Sequence, residues 1–401
     1  MAVESGTIEG VRQRNLTRLL RLVHLGGPIS RAALTEATGL NRSTIGGLVA
    51  ELAAARLVQE CPPDPSRRVG RPSPIVQPHP SVVAIAANPE VDVIEIGAIG
   101  LDQRIHARVR MPQDTLLTPE RTAELIAEQI SQWRGAELAG ADIAGVGVAV
   151  PGLVRADDGL VRDAPHLEWI DAPVLDLVAD ATGLTTEVGN DASLGAIAEH
   201  LFGAAVGIDD LVYLNGGASG IGGGVIVHGL PVGGVGGYAG EFGQNRPGIS
   251  AATDRRAPDG VLEDEVSRSR LLAAAGLQQA DDHDLAVALA QSAAARVEVE
   301  RQRRILATAL ANAVNALNPA VVVLGGFLAI LAEHDLPGLE DAVRAQVMPA
   351  CGEGMSIVTA GLAEDRLLIG AAEAVFTELI DHGLPPRLGT TPGLPTQMDR
   401  G

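Results

Sequence analysis

Arg42, Ser43 and Thr44 follow Asn41 at the head of a stretch whose apolar residues recur at helical spacing. Three polar side chains at a helix N-terminus can bond base edges, and the free backbone N–H groups beside them favour phosphate. A second basic group, Arg67, Arg68 and Arg71, lies in CPPDPSRRVGRPSP between two β-like runs, Leu57–Glu60 and Ile75–Gln77. At the tip of a two-stranded wing these arginines would reach phosphates or an adjacent minor groove. A solvated linker is the plainer reading of them.

The elements that must position these residues are legible. In PISRAALTEATGLNRSTIGGLVAELAAARLVQE (residues 28–60), Ser30 is suited to cap a helix running to about Thr38. Gly39 suits the left-handed residue that ends it. Asn41 is a second N-cap, and Ile45, Leu48, Val49 and Leu52 fall on one face of the helix it starts. An upstream helix, about Arg14 to Leu25, supplies Leu16, Leu19, Leu20 and Val23 as support. Gly46 and Gly47 cost that helix roughly 1 kcal/mol each against alanine. Close approach to a DNA backbone would explain the cost, and so would loose packing. The unit reads as a winged helix-turn-helix with a major-groove reader; the plain alternative is a helical hairpin inside a larger core.

The chain has 401 residues and a formal charge of −20, which by itself argues against a nucleic-acid partner. The distribution reverses that reading. Residues 1–80 hold 10 arginines against 6 acidic residues, a balance of +4, and the rest carries −24. A basic head on an acidic body fits a DNA-binding module whose body is repelled from the duplex. All 30 basic residues are arginine. Cys61 and Cys351 alone form neither a disulfide framework nor a CxxC zinc site, so a reducing cytoplasm is the simple expectation. The N-terminus, MAVESGTIEG, lacks a signal-peptide core. The longest apolar run, Ala320 to Ala332, is too short to span a bilayer.

Pro72, Pro74, Pro78 and Pro80 suggest a stiff linker after the wing. Beyond it, β-like runs alternate with helical stretches. Val82–Ala87, Val93–Ile99, Ile143–Val150, Thr186–Val188, Leu211–Leu214, Val225–His228 and Val321–Leu324 read as strands. Helices are expected over about Thr118–Trp133, Ala192–Phe202, Val297–Leu317 and Gly370–Ile380. This is an α/β pattern with glycine-rich turns after strands, where such folds bind ligands. Ser219–Gly224 (SGIGGG) looks competent to cradle phosphate, and a structural turn explains it as well.

VAVPG at 148–152, GNDAS at 189–193, ASGIGGG at 218–224, GYAGEFGQ at 237–244 and NPAVVVLGG at 318–326 occur in an order and spacing that carry a resemblance. From about residue 12 to 380 the chain resembles the ROK family, which groups sugar-responsive repressors, open reading frames and sugar kinases. Its front end resembles the NagC/XylR-type repressor branch. The resemblance implies a two-lobed, actin-like fold of the ribonuclease-H type behind the winged head. The expected division is 1–78 for the DNA-binding domain, 79–388 for the kinase-like sensor and dimerisation domain, and 389–401 for a disordered tail.

In the family's kinases an Asn-Asp pair holds the sugar and the Asp takes the proton from the attacking hydroxyl. The pair matches Asn190 and Asp191, which read equally well as the N-cap of the next helix. The family's usual preceding Glu is Gly189 here. The sugar-contacting glutamate of the Gly-Glu-x-Gly-His motif corresponds to Glu241, and the motif's histidine to Gln244. A later sugar-contacting glutamate maps to Glu263, and His166 falls where relatives carry an Asn near the sugar. Without that histidine and without cysteines between Cys61 and Cys351, no family-type zinc site is expected.

Kinases of this class open with Asp-x-Gly-Gly-Thr after the first strand; this chain has AIAANPEVDV. Asn88 matches the Asp, and Glu90 and Asp92 occupy the glycine region. A carboxylate facing a phosphate at about 4 Å costs roughly 4 kcal/mol at an effective dielectric near 20. The resemblance therefore implies a non-enzymatic, sugar- or sugar-phosphate-responsive repressor, needing no cofactor. It would work as a homodimer or dimer of dimers on an inverted-repeat operator. Two alternatives are a regulator answering a protein partner or no effector, and an active sugar kinase with an extra domain.

Overall fold

The structure, a computed structural model, describes residues 8–62, 73–257 and 260–382. The head comprises α1 (Ile8–Gly26), β1 (Ile29–Ser30), α2 (Arg31–Thr38), α3 (Arg42–Ala54), β2 (Val58–Cys61) and β3 (Ile75–Pro78). Local chemistry sets its boundaries. Ser30 Oγ accepts from Ala33 N, and Gly39 closes α2 at φ 72°. The Arg18 guanidinium donates to the Ala37 and Thr38 carbonyls, completing that helix end. Asn41 Oδ1 accepts from Thr44 N to start α3. Ile45, Leu48, Val49 and Leu52 are buried with Leu16, Leu19, Leu20, Val23 and Leu34. β1 and β2 flank β3 in an antiparallel sheet, with Gln59 opposite Gln77 and Cys61 opposite Ile75. This is a winged helix-turn-helix. Arg67, Arg68, Arg71 and Pro72, at the expected wing tip, lie outside the described residues.

The first lobe holds β4 (Val82–Pro89), β5 (Val93–Gly100), β6 (Ile105–Pro112), α4 (Pro119–Arg134), β7 (Asp142–Val150), β8 (Leu153–Val154), β9 (Val161–Ala164), β10 (Trp169–Ala172), α5 (Val174–Thr182) and β11 (Thr186–Asn190). Its five-stranded sheet runs β11-β7-β4-β5-β6, with β4, β7 and β11 parallel. α6 (Asp191–Phe202) leads to the second lobe: β12 (Leu211–Gly216), β13 (Ile221–Val227), β14 (Leu230–Pro231), α7 (Leu262–Glu265), α8 (Arg268–Ala275), α9 (Asp282–Gln291), α10 (Ala293–Leu317), β15 (Val321–Gly326), α11 (Phe327–Glu333), α12 (Leu336–Arg344), α13 (Pro349–Gly352), β16 (Ser356–Thr359) and α14 (Arg366–His382). Its sheet runs β14-β13-β12-β15-β16. The two sheets make the two-lobed, actin-like α/β body. Among the described residues no helix is long and apolar enough to cross a membrane.

Two expectations change. Ile221–Gly224 is not loop but the first half of β13, with Gly222 opposite Asn215 and Gly224 opposite Tyr213. Its glycines serve packing: a Cβ at Gly222 would lie 2.7 Å from Ala192 Cβ, and one at Gly224 2.5 Å from Ala196 Cβ. They let α6 lie against the sheet. Nor is Pro78 part of a free spacer. It ends β3 opposite Val58, and β4 begins four residues later.

The head is consequently docked on the body. The leucines of α1 share one core with Val82 and Ala84 of β4 and with Phe376, Leu379 and Ile380 of α14. Thr17 Oγ1 donates to the Ile380 carbonyl, Arg21 pairs with Asp381 at 2.7 Å, and Gln103 Nε2 donates to the His24 carbonyl. His24 itself is buried, with Nδ1 2.7 Å from Leu101 O and Nε2 2.8 Å from Glu373 Oε2.

Candidate functional site

β4, β7 and β11 end side by side at Pro89, Val150 and Asn190, and their carboxyl ends form one wall of a cleft. Ligands of open α/β sheets bind beyond such ends, because backbone groups and helix N-termini converge there. Asn190 caps α6 through Oδ1, accepting from Ser193 N at 2.9 Å. Its amide donates to the Gly152 carbonyl and to Asp191 Oδ1. Asn190 is thus a cap first, and its amide orients the neighbouring carboxylate. Asp191 Oδ1 also accepts from Ala192 N at 2.7 Å. Burial outweighs these bonds and pushes Asp191 up to about 6. That is the range of a group able to take or give a proton near neutrality.

Glu241 and Glu263 join Asp191 from the second lobe. Burial, then Asp191 and Glu263, raise Glu241 above the usual carboxylate range. Glu263 Oε2 accepts from Ile221 N, and Gln244 Nε2 donates to Glu263 Oε1 at 2.7 Å. The side chain at the family's histidine position therefore orients a carboxylate. Of the six sequence-predicted ligand residues, five gather at this cleft. The sixth, His166, is exposed in the turn joining β9 to β10. No hydrogen bond or ion pair ties His166 to the carboxyl cluster. A cavity of about 250 Å³ adjoins Asn190, and Val154, Val188, Val225, Ile226 and Val232 are among the residues that line it. It shares only Asn190 with the predicted set.

The nucleotide side differs from a phosphate cradle. Asn88 Nδ2 donates to the Ala149 carbonyl, tying β4 to β7. Glu90 follows at the strand end with its carboxyl end enclosed, although the residue as a whole is half-buried. Sequence reading missed Asn215, Tyr213 and Arg366. Arg366 Nε and Nη2 donate to Asn215 Oδ1 at 3.1 and 2.8 Å, and Tyr213 Oη donates to the same oxygen. The Arg366 charge favours the ionised forms of both Asp191 and Glu90. A lone Asn at the end of the apolar run LVYLN was the signal available.

The loop after Gln244 has its own fastening. Buried Glu265 accepts from the backbone N–H groups of Arg256 and Ala257 and pairs with buried Arg301 at 2.9 Å. Arg301 also donates to the Asp254 carbonyl and pairs with Glu298. Among the described residues no group of three or more His, Cys, Asp or Glu could hold a metal ion.

In the head, Arg42 and Ser43 are exposed and Thr44 is half-buried. Ser43 Oγ donates to Asn41 Oδ1, so the cap and the first turn form one small network. A Cβ on Gly47 would meet nothing within 4 Å, so packing does not require a glycine there. The exposed polar edge of α3 stands beside bare backbone.

Comparison with known proteins adds the lineage. The xylose repressor of Bacillus subtilis is 25% identical over 382 residues, covering 92% of this chain and 97% of that protein. The glucokinase of Halalkalibacterium halodurans is 29% identical over 252 residues, 57% of this chain and 75% of that enzyme. A crystal structure described as a ROK family transcriptional regulator, homologous to the E. coli MLC protein, superposes with a TM-score of 0.75. It is 22% identical and covers 93% of this chain and 98% of its own. The sequence pattern of the ROK family matches residues 91–378, and on that span the chain belongs to the ROK family.

Proposed function

We propose that this protein is a DNA-binding transcriptional repressor of carbohydrate genes whose kinase-like body senses a sugar without phosphorylating it. The observation that carries the reading is the exposed, Asn41-capped start of α3 on a head fastened to the helices that frame the cleft. Arg42, Ser43 and Thr44 read the operator, with Arg67, Arg68 and Arg71 contacting phosphate or minor groove. Asn190, Asp191, Glu241, Gln244 and Glu263 hold the sugar; His166, exposed at a hairpin turn, is the weakest member of the set. The protein acts in the cytoplasm as a two-fold dimer on an inverted repeat. Sugar shifts the equilibrium between two dispositions of the heads by binding one of them more tightly.

A kinase reading draws on Asp191, buried and poised near neutrality. Asn88, committed to Ala149, and Glu90, at the phosphate edge, weigh against it. The test is a gel-shift titration of the full chain on the promoter region of its own gene, with and without D-xylose, D-glucose and N-acetylglucosamine. Arg42→Ala should weaken operator binding, and one sugar should release the wild-type protein. ATP-dependent phosphorylation of any of these sugars, lost in Asp191→Asn, would overturn the non-enzymatic reading.

A further inference from the structure

The arginines of the head divide by what answers their charge. Arg12 pairs with Glu51, Arg21 with Asp381, Arg31 with Glu60 and Arg56 with Asp142. Arg14, Arg18 and Arg42 are exposed and form no ion pair among the described residues. Of these three, Arg18 is the one the fold holds in place. Its Nη2 donates to the Ala37 carbonyl at 2.8 Å and its Nη1 to the Thr38 carbonyl at 3.2 Å. A guanidinium has five N–H donors, so three remain after those two bonds.

The two carbonyls fix where the charge stands. Thr38 ends α2, and Asn41 and Arg42 open α3 three and four residues later. Four residues span at most about 14 Å. The major groove is about 12 Å wide and phosphates line both of its walls. A cation held at the α2–α3 turn therefore stands beside a groove wall whenever the first turn of α3 enters the groove. Without Arg18 the carbonyl end of α2 would turn negative partial charge toward that wall. The acid nearest the turn in sequence, Glu36, is exposed and forms no ion pair among the described residues, so it does not claim the Arg18 charge. Because two bonds already order the side chain, contact with phosphate costs little further ordering.

We propose that Arg18 is a phosphate-contact residue of the head, gripping the operator backbone beside the groove that α3 reads. This rests on the DNA-binding reading and adds to it a contact made from α1, outside both α3 and the wing. A phosphate contact carries no base information, so it serves every duplex alike.

The test is a salt titration of DNA binding by the full-length protein, on the promoter region of its own gene and on a mixed-sequence duplex of equal length. Each phosphate contact contributes about 0.9 to the slope of log K against log salt. Arg18→Gln should lower the slope by about that amount on both duplexes, and Arg18→Lys should recover it. Arg14→Gln removes another exposed α1 cation, one turn away, and should change the slope by clearly less. Thermal melting of the same variants reports the loss of the α2 end separately. A side chain that only caps α2 would lower melting temperature and affinity yet leave the wild-type slope, and that result overturns the inference while leaving DNA binding intact. So does an Arg14→Gln slope as low as that of Arg18→Gln, which would make the effect one of net charge. If the wild-type chain binds neither duplex, the DNA-binding reading falls and this inference with it.

Discussion

The ring of Phe202 meets the ring of His24 edge-on, with centroids 5.6 Å apart and planes at 78°. Phe202 is the last residue of α6, whose first residue is Asp191, and His24 belongs to α1 of the DNA-binding head. A single helix of 12 residues, about 18 Å long, therefore runs from the candidate ligand site to the head. α14 runs beside it, with Arg366 at the cleft and Glu373 on His24.

This contact should carry the response to sugar. Phe202→Leu is expected to leave operator affinity without sugar nearly unchanged and to shrink the sugar-induced release. Typical coupling energies of about 1–3 kcal/mol make the wild-type effect roughly 5- to 150-fold. Gel-shift titrations with and without sugar measure it. An unchanged ratio would show that coupling bypasses Phe202.

Gly47 offers a separation of stability from recognition. Its exposed position and open surroundings predict that Gly47→Ala stabilises the head by up to about 1 kcal/mol. If backbone at Gly47 approaches DNA, the same change weakens operator binding. Thermal melting and gel shift on one preparation read both effects.

Arg301 holds two carboxylates and a loop carbonyl in a buried setting. Arg301→Met leaves Glu265 and Glu298 without their cation, and the expected loss is about 3–5 kcal/mol. Urea denaturation measures it, and limited proteolysis should find new cleavage in residues 251–257. Normal stability would mean that the ion pairs only decorate the loop.

The pH dependence of stability has a defined sign. Glu90 titrates at about 8 in the folded chain against an ordinary value of 4.5. The folded state then binds the extra proton, so this stabilisation is complete below about 4.5 and lost as pH rises through 8. Glu90→Gln should melt close to wild type near pH 5 and above it near pH 9. Parallel melting curves across that range would remove Glu90 from the buried site.

Much of the head was readable because caps are local. Ser30, Gly39 and Asn41 act on groups two to four residues away, and the boundaries they set stand in α2 and α3. Local signals served less well in the body. β6 alternates half-buried and exposed residues through IHARVRMP, yet its charges hid it. The short strands β8, β9 and β10 are too brief for a period to emerge. The glycines of β13 read as a loop because their purpose, room for α6, lies in another segment.

The amino-acid order alone determined the basic reading head, the α/β body and the loss of glycines after the first body strand, since each is written in neighbouring residues. Only the tertiary structure decided that Glu90 joins Asp191 and Glu241 in one charged cluster and that α1 rests on α14 instead of standing on a linker. Both depend on segments far apart in the chain excluding water together, and it is that shared burial, absent from any single stretch, that raises Glu90, Asp191 and Glu241 and seats the head on the body.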